Sequence, residues 1–176
     1  MEQNSARRRV IFLLAAAFGV ALCGCAGYQL GPSNGVAAGE KSVQVNPFAN
    51  QTLEPRLGDA VTTELRRSLQ HDGTYRLATR GGADIVVSGT ITRYDRHELS
   101  LVPKDVLTVS DYRVTATAQV TARDASTGKV IFEKPVTGYT LIQVGSDLTS
   151  SERQALPLLA EALAKNVTAL LVDGSW

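Results

Sequence analysis

The segment from Tyr112 to Arg123 alternates strictly between two classes of side chain. Small apolar residues occupy every second position from Val114 to Ala122, while threonine, glutamine or arginine occupies the positions between them. Because successive side chains of a strand point to opposite faces of its sheet, this pattern predicts a strand with one covered face. The other face is open to water or to a partner, and a second layer must cover the apolar face.

Two amphipathic helical patterns can supply that second layer. The first has leucine or valine at every fourth position from Leu57 to Leu69, which places these side chains on one face of a helix. The second follows Thr149-Ser150-Ser151-Glu152, which matches a capping box and predicts a helix start. Pro157 predicts a kink or a later start in this second helix. Its predicted buried stripe consists of Leu156, Leu159, Leu163, Val167 and Leu170.

Four further segments have the composition and alternation of strands, near residues 42–46, 75–79, 84–101 and 130–144. Pro135 lies in the last of them and predicts an edge position or a bulge, because proline cannot donate a hydrogen bond to a neighbouring strand. The predicted order of elements is β-α-β-β-β-β-α. We therefore expect an α+β fold in which two helices pack on one face of a four- to five-stranded, mostly antiparallel sheet.

The N-terminus has the features of a bacterial export signal. Arg7-Arg8-Arg9 precedes a short, uncharged and largely apolar run from Val10 to Leu22, which falls short of the roughly 20 residues that span a bilayer. Leu22-Cys23-Gly24-Cys25 then resembles the lipobox of lipoproteins, in which a small residue precedes the cleavage site. We expect cleavage before Cys25, with N-acyl (for example palmitate) and S-diacylglyceryl groups on that residue as the membrane anchor. The alternative is an ordinary signal peptide with two incidental cysteines.

These features predict three parts: a signal peptide over 1–24, a lipidated flexible tether over 25–41, and a folded domain over 42–176. Loss of three arginines and one glutamate with the signal changes the formal charge from +1 to −1. Such a balanced charge argues against a nucleic-acid partner. Acylation of Cys25 leaves no free thiol, which excludes a disulfide and a cysteine metal site. No catalytic motif is recognisable, so we expect neither an enzyme nor a metal protein.

The chain also resembles a known family. The matching motifs, in order, are Cys25-Ala26-Gly27-Tyr28-Gln29-Leu30, Val43-x-Val45-x-Pro47-Phe48-x-Asn50-x-Thr52, Leu65-x-x-x-Leu69, Ala83-Asp84-x-x-x-Ser88-Gly89-x-Ile91, Tyr112-Arg113 and Ala162-Leu163-Ala164. Together they resemble the LptE family of outer-membrane lipoproteins over most of residues 25–172. The resemblance implies pairing with LptD, an outer-membrane β-barrel whose lumen the lipoprotein plugs, and a role in delivering lipopolysaccharide to the cell surface. Ala26 favours the outer membrane, because inner-membrane retention usually places aspartate there.

Two other kinds of outer-membrane lipoprotein share part of this pattern. A CsgG-like secretion component and a lipoprotein activator of a peptidoglycan synthase also carry a first strand similar to Val45-x-Pro47-Phe48-x-Asn50. The Gly27-Tyr28-Gln29-Leu30 start favours LptE. A CsgG-like protein would also need an amphipathic β segment that inserts into a membrane, and the threonines and arginines on the outer face of the strand at 112–123 argue against insertion.

Lipopolysaccharide contacts implied by the resemblance would require cations, because lipid A phosphates pair well with guanidinium and ammonium groups. The first candidates are Arg93, Arg96 and Lys104, which we expect around the turn between two strands. The second candidates are Arg66 and Arg67 on the first helix. Ordinary solvated surface charge is the competing interpretation for both groups.

Overall fold

The computed structural model describes residues 38–102, 105–143 and 148–174. The α+β class predicted from the sequence is confirmed, with two helices and six strands in these ranges. In chain order the elements are β1 (Ser42–Val45), β2 (Ala49–Asn50), α1 (Leu57–Asp72), β3 (Arg76–Leu77), β4 (Ile85–Val102), β5 (Asp105–Asp124), β6 (Val130–Gln143) and α2 (Leu148–Asp173).

The sheet is mixed, and it has one strand more than the upper number predicted. The strand order is β3-β1-β4-β5-β6, and β2 pairs with β4 beyond the end of β1. β1 runs parallel to β3 and β4, whereas the long strands β4, β5 and β6 are antiparallel. The parallel pairs arise because α1 carries the chain back to the starting end of β1. The strand predicted near 75–79 is present as β3, whereas β2, with two residues, is too short to show a periodic pattern.

The alternating segment forms the centre of the sheet, as predicted. Val114, Ala116, Ala118, Val120 and Ala122 are at most 2 % exposed and face the two helices. β6 is an edge strand, which confirms the prediction made from Pro135. The helices also contact each other: the Thr168 hydroxyl donates to the Ser68 hydroxyl over 2.9 Å. One apolar layer therefore lies between the sheet and the helix pair.

Two glycines permit unusually close packing. A Cβ atom on Gly138 of β6 would lie 2.5 Å from the backbone nitrogen of Leu163, so strand and helix approach almost backbone to backbone. A Cβ atom on Gly89 of β4 would overlap the ring of Phe48, which is buried. Side chains at either position would push apart elements that now touch.

Helix α2 differs from its prediction in three respects. It begins at Leu148, so the predicted cap residue Thr149 lies inside the helix, and the later start predicted from Pro157 is wrong because Pro157 lies within the helix. Its buried residues are Ala155, Leu159, Ala160, Leu163, Ala164, Val167, Thr168 and Leu171, while Leu156 and Leu170 are only partly buried. Pro157 is exposed, so its ring faces solvent while the opposite side of the helix packs against the core. The segment 150–173 is long and apolar enough to cross a membrane, but much of its apolar surface is buried within the domain.

The described part of the chain starts four residues before β1, and this start is joined to the domain. The Gly39 N–H donates to the Thr74 carbonyl over 2.9 Å, and the Arg76 N–H donates to the Lys41 carbonyl over 2.9 Å. The predicted signal peptide, Cys25 and Lys104 lie outside the described residues. The boundaries predicted at 24 and 41 stay predictions.

Candidate interaction surface

The sheet face opposite the helices is open across β4, β5 and β6. We call it the outer face, and its central residues are Ser88, Thr90, Thr115, Thr117, Gln119, Thr121 and Thr137. Most of these side chains are small and carry a hydroxyl group. The hydroxyls of Thr117 and Thr137 lie 3.1 Å apart across the β5–β6 pair. The outer face is therefore a shallow polar surface, as the alternating segment predicted.

Larger side chains stand at one end of the outer face, toward the β4–β5 hairpin. Tyr139 and Leu141 of β6 are each 58 % exposed. The guanidinium carbon of Arg113 lies 5.1 Å from the centre of the Tyr139 ring, within range of a cation–π interaction. Arg93 is on the same face, opposite Thr117, with its Nε atom 3.8 Å from a carboxylate oxygen of Asp95. This end combines apolar, aromatic and cationic groups.

The first group of candidate lipopolysaccharide contacts is divided by the sheet. Arg93 pairs with Thr117 and Arg96 pairs with Val114, so their side chains point to opposite faces. Both residues lie inside β4, which continues to Val102, rather than at a turn as expected. Arg96 donates from Nη1 to Oε1 of Glu152 over 2.8 Å, and this ion pair joins β4 to the start of α2.

The second group, on α1, is also divided. Arg66 donates from Nη2 to the Val45 carbonyl over 2.8 Å, so it joins the helix to β1. Arg67 is largely exposed and lies 3.6 Å from a carboxylate oxygen of Glu64, one helical turn earlier. Of the two, Arg67 has the freer cationic group, because Arg66 is committed to a backbone contact.

A polar cluster that the sequence did not reveal surrounds Arg96. Burial, with the charge of Glu152 as a smaller contribution, raises the pKa of Glu54 in the loop before α1. Burial also raises the pKa of Tyr94 to about 12, again with Glu152 and Glu54 adding to the effect. These residues come from three distant parts of the chain. The cluster lies at the end of the domain at which α2 begins.

At the opposite end, the β5–β6 hairpin is organised by one carboxylate. Oδ1 of Asp124 accepts hydrogen bonds from the hydroxyl and the N–H of both Ser126 and Thr127, at 2.6–3.0 Å. These bonds, the Ser126 hydroxyl first, lower the pKa of Asp124 to about 2. Within the described ranges, no group of three or more His, Cys, Asp or Glu side chains is arranged to hold a metal ion.

Comparison with protein families identifies the chain. The family model for LptE, described as lipopolysaccharide-assembly, matches residues 40–171. The chain belongs to the LptE family. This confirms the resemblance found in the sequence, and it makes the protein an LptE-type lipoprotein of lipopolysaccharide assembly, associated with a membrane. Among curated proteins, none matches this LptE chain in sequence.

Solved structures share the fold of this LptE protein at low sequence identity. A protein from Xanthomonas campestris superposes with a TM-score of 0.59 at 11% identity, over 83% of this chain and 91% of that one. A protein from Chlamydia trachomatis gives 0.55 at 15% identity, over 77% and 96%. A minor lipoprotein from Acinetobacter baumannii gives 0.50 at 15% identity, over 75% and 92%. At these identities the likeness concerns the fold alone.

Proposed function

We propose that this LptE protein is the lipid-anchored partner of an LptD-type outer-membrane β-barrel. It plugs the barrel lumen, helps the barrel assemble, and assists delivery of lipopolysaccharide to the cell surface. It has no catalytic role. The family match over residues 40–171 supports the assembly role, and the outer face supports the mode of docking.

The outer face suits a polar barrel interior. The inward-facing side chains of a membrane barrel are polar, in contrast to those that face lipid. A flat surface of small hydroxyl-bearing side chains such as Thr115, Thr117 and Thr121 can approach such a wall closely and exchange hydrogen bonds with it. The same surface is unsuited to lipid, because its hydroxyl and charged groups would be left without partners there.

Among the predicted lipopolysaccharide contacts, Arg93 is the strongest candidate in the described residues. Its side chain is 72% exposed and lies on the outer face, where it could meet a lipid A phosphate. Lys104, which lies outside the described residues, stays a candidate, with Arg67 and then Arg66 as candidates on α1. Arg96 is a weaker candidate, because its guanidinium is already bonded to Glu152.

The membrane attachment follows from the lipobox. Cys25 carries N-acyl and S-diacylglyceryl groups, and two or three acyl chains hold a protein stably where one chain would not. The anchor keeps the domain at the periplasmic side of the outer membrane until it enters the barrel. No other cofactor is required by this role.

Affinity purification of the native full-length lipoprotein tests the proposal. We expect the LptD-type barrel to be recovered with it, and lipopolysaccharide to be recovered in smaller amount with the Arg93→Ser variant. Thr117→Trp should reduce barrel recovery at least tenfold, because an indole would hold the outer face away from the wall. Thr63→Trp, on the exposed side of α1, is the matched control and should leave recovery unchanged.

Other outcomes would overturn specific parts of the proposal. Recovery of a peptidoglycan synthase or a secretion complex in place of the barrel would replace the function with one of the alternatives. Equal barrel recovery with Thr117→Trp and Thr63→Trp would remove the outer face from the interface. Unchanged lipopolysaccharide recovery with Arg93→Ser would remove that residue from the lipid site.

A further inference from the structure

Strand β4 has a free edge over its second half. On the side of β1 and β2, its pairing reaches Ile91, whose carbonyl accepts a hydrogen bond from the Gln51 N–H over 3.0 Å. β4 itself continues to Val102, and among the described residues no strand pairs with that side beyond Ile91. We call Arg93–Leu99 the edge segment. It presents about 20 Å of strand, given the usual rise per residue.

Leu53 projects into solvent beside this edge. Its relative exposure is 102%, the highest among the exposed large hydrophobic residues. The loop that carries it is firmly built: Oδ1 of Asn50 accepts hydrogen bonds from the N–H and the hydroxyl of Thr52, at 3.0 and 2.7 Å. Nδ2 of Asn50 donates to the Glu54 carbonyl over 2.7 Å. The exposed leucine therefore sits between two fixed residues, and binding through it would cost little conformational entropy.

The edge segment has an exposed leucine near each end. The loop with Leu53 lines the same hollow as Thr92 and Arg93, at the start of the segment. Leu99, at its other end, is 47% exposed. Between them Arg93 and Asp95 are close enough to offset each other's charge. The result is an unpaired strand edge with an apolar side chain near each end.

The other long edge of the sheet, β6, also has exposed apolar side chains near its ends, Val130 and Leu141, but it differs by a proline. β6 carries Pro135, which has no N–H to offer, next to the exposed residues Glu133 and Lys134. Proline is one of the usual means by which proteins prevent pairing at a strand edge, and the edge segment contains none. The edge segment of β4 is thus the better acceptor of an additional strand.

We propose that an extended segment of a partner polypeptide adds as a strand to the edge segment of β4, with contacts to Leu53 and Leu99. A polypeptide is the ligand class that fits, because only a peptide backbone offers N–H and C=O groups at the spacing of a strand. This inference rests on the proposed function, in which the partner is the barrel. Wall strands of a closed barrel are already paired on both sides, so the added segment belongs to a barrel loop or terminus.

Photo-crosslinking in cells tests this geometry. The photoreactive residue p-benzoylphenylalanine replaces Leu53 or Leu99 in the full-length chain, and the attached peptides are identified by mass spectrometry. Both positions should attach to one loop or terminal segment of the barrel, at sites about six residues apart, as strand spacing requires. The same substitution at Leu158, which is 55% exposed on α2, is the control and should give no adduct with that segment.

Hydrogen exchange provides the readout that is specific to strand addition. In the purified complex, backbone amides of the edge segment should exchange at least tenfold more slowly than in the free chain, and those of β6 should not. Leu53→Asp should weaken the complex at least tenfold while the domain stays folded. Leu158→Asp is the matched control and should bind like the natural chain.

The outcomes separate this inference from the proposed function. If the barrel is recovered but Leu53 and Leu99 attach to unrelated segments, to lipid, to a second copy of this chain or to nothing, strand addition is wrong and the function stands. If the amides of β6 exchange more slowly in the complex and those of the edge segment do not, strand addition to β4 is also wrong and the function stands. If the barrel is not recovered but both positions attach to one extended segment of another polypeptide, the function falls and strand addition stands. If the barrel is not recovered and the two positions do not attach to one extended segment, both the proposed function and strand addition are wrong.

Discussion

At the scale of single residues, Gly138 controls how closely β6 approaches α2. Gly138→Ala should lower the free energy of unfolding by about 1–3 kcal/mol, because its new methyl group would meet the backbone of Leu163, which cannot rotate away. Urea denaturation measures the change. Glu133→Ala, on the exposed side of the same strand, is the control and should stay within about 0.5 kcal/mol of the natural chain. Equal stability of the two variants would mean that the strand and helix can separate without cost.

The carboxylate of Asp124 makes the stability of the domain depend on acidity. Its pKa is lowered from 3.8 to about 2 by hydrogen bonds from Ser126 and Thr127, so the charged form is favoured in the folded state. The resulting stabilisation is complete above about pH 4 and is lost as the pH falls toward 2. Asp124→Asn should therefore be less stable than the natural chain at pH 6, and the difference should vanish near pH 2.

Denaturation at several pH values measures this difference. Thr127→Ala removes one of the four hydrogen bonds that lower the pKa of Asp124, because the hydroxyl is lost while the backbone N–H remains. It should therefore narrow the difference in stability between the natural and Asp124→Asn chains rather than abolish it. If the difference in the free energy of unfolding between the Asp124→Asn and natural chains stays constant from pH 6 to pH 2, the Asp124 carboxylate is not a source of the pH dependence.

At the scale of elements, α2 tolerates a proline that most helices would not. Pro157 cannot donate to the carbonyl one turn earlier, and proline in a helix interior costs about 3 kcal/mol relative to alanine. Pro157→Ala should therefore raise the free energy of unfolding by about 1–3 kcal/mol, measured by urea denaturation. Leu158→Ala, at the neighbouring exposed position, is the control and should have little effect.

A lower stability of Pro157→Ala would instead indicate that Pro157 positions the start of α2. If Pro157→Ala lowers stability, the proline is needed to direct the first turns of α2, where Glu152 bonds Arg96. In that case Glu152→Gln in the natural chain should reproduce part of the loss.

At the scale of the whole molecule, three surfaces have separate roles. The helix pair covers the apolar face of the sheet, the outer face is proposed for the barrel wall, and the edge of β4 for an added strand. Because two of these surfaces would contact the barrel, the lipid anchor should matter less once the domain is in the barrel.

A Cys25→Ser chain exported by an ordinary cleavable signal tests that expectation. It should still bind the LptD-type barrel, with recovery within about twofold of the lipidated chain, because protein contacts rather than acyl chains hold the complex together. Co-purification from detergent-solubilised membranes measures the recovery. Loss of the barrel from the Cys25→Ser preparation would show that the anchor holds the complex as well as delivering it.

Local periodicity made much of this fold predictable. The alternation from Val114 to Ala122 correctly predicted a strand with a buried and an open face, since backbone geometry alone sends neighbouring side chains to opposite sides. The leucine spacing of α1 and the edge position of Pro135 followed from equally local rules. The outer face, which carries the proposed docking, was therefore visible in the sequence.

The positions of the cations were decided by tertiary structure. A register shift between Ile91 and Arg93 moves the following residues of β4 to the opposite faces, so Arg93 joins the outer face and Arg96 turns toward α2. Alternation read from the sequence cannot reveal such a shift. The partner of Arg96 is equally hidden, because Glu152 lies 56 residues further along the chain.

The sequence by itself therefore determined the class of fold, the family and the two faces of the central strand, since these depend on short-range pattern. Only the tertiary structure decided the mixed strand order, the buried side of α2 and the free edge beside Leu53. Each of these depends on where distant segments meet, and in particular on β2 ending at Asn50 while β4 continues to Val102. That difference in strand length leaves the edge open.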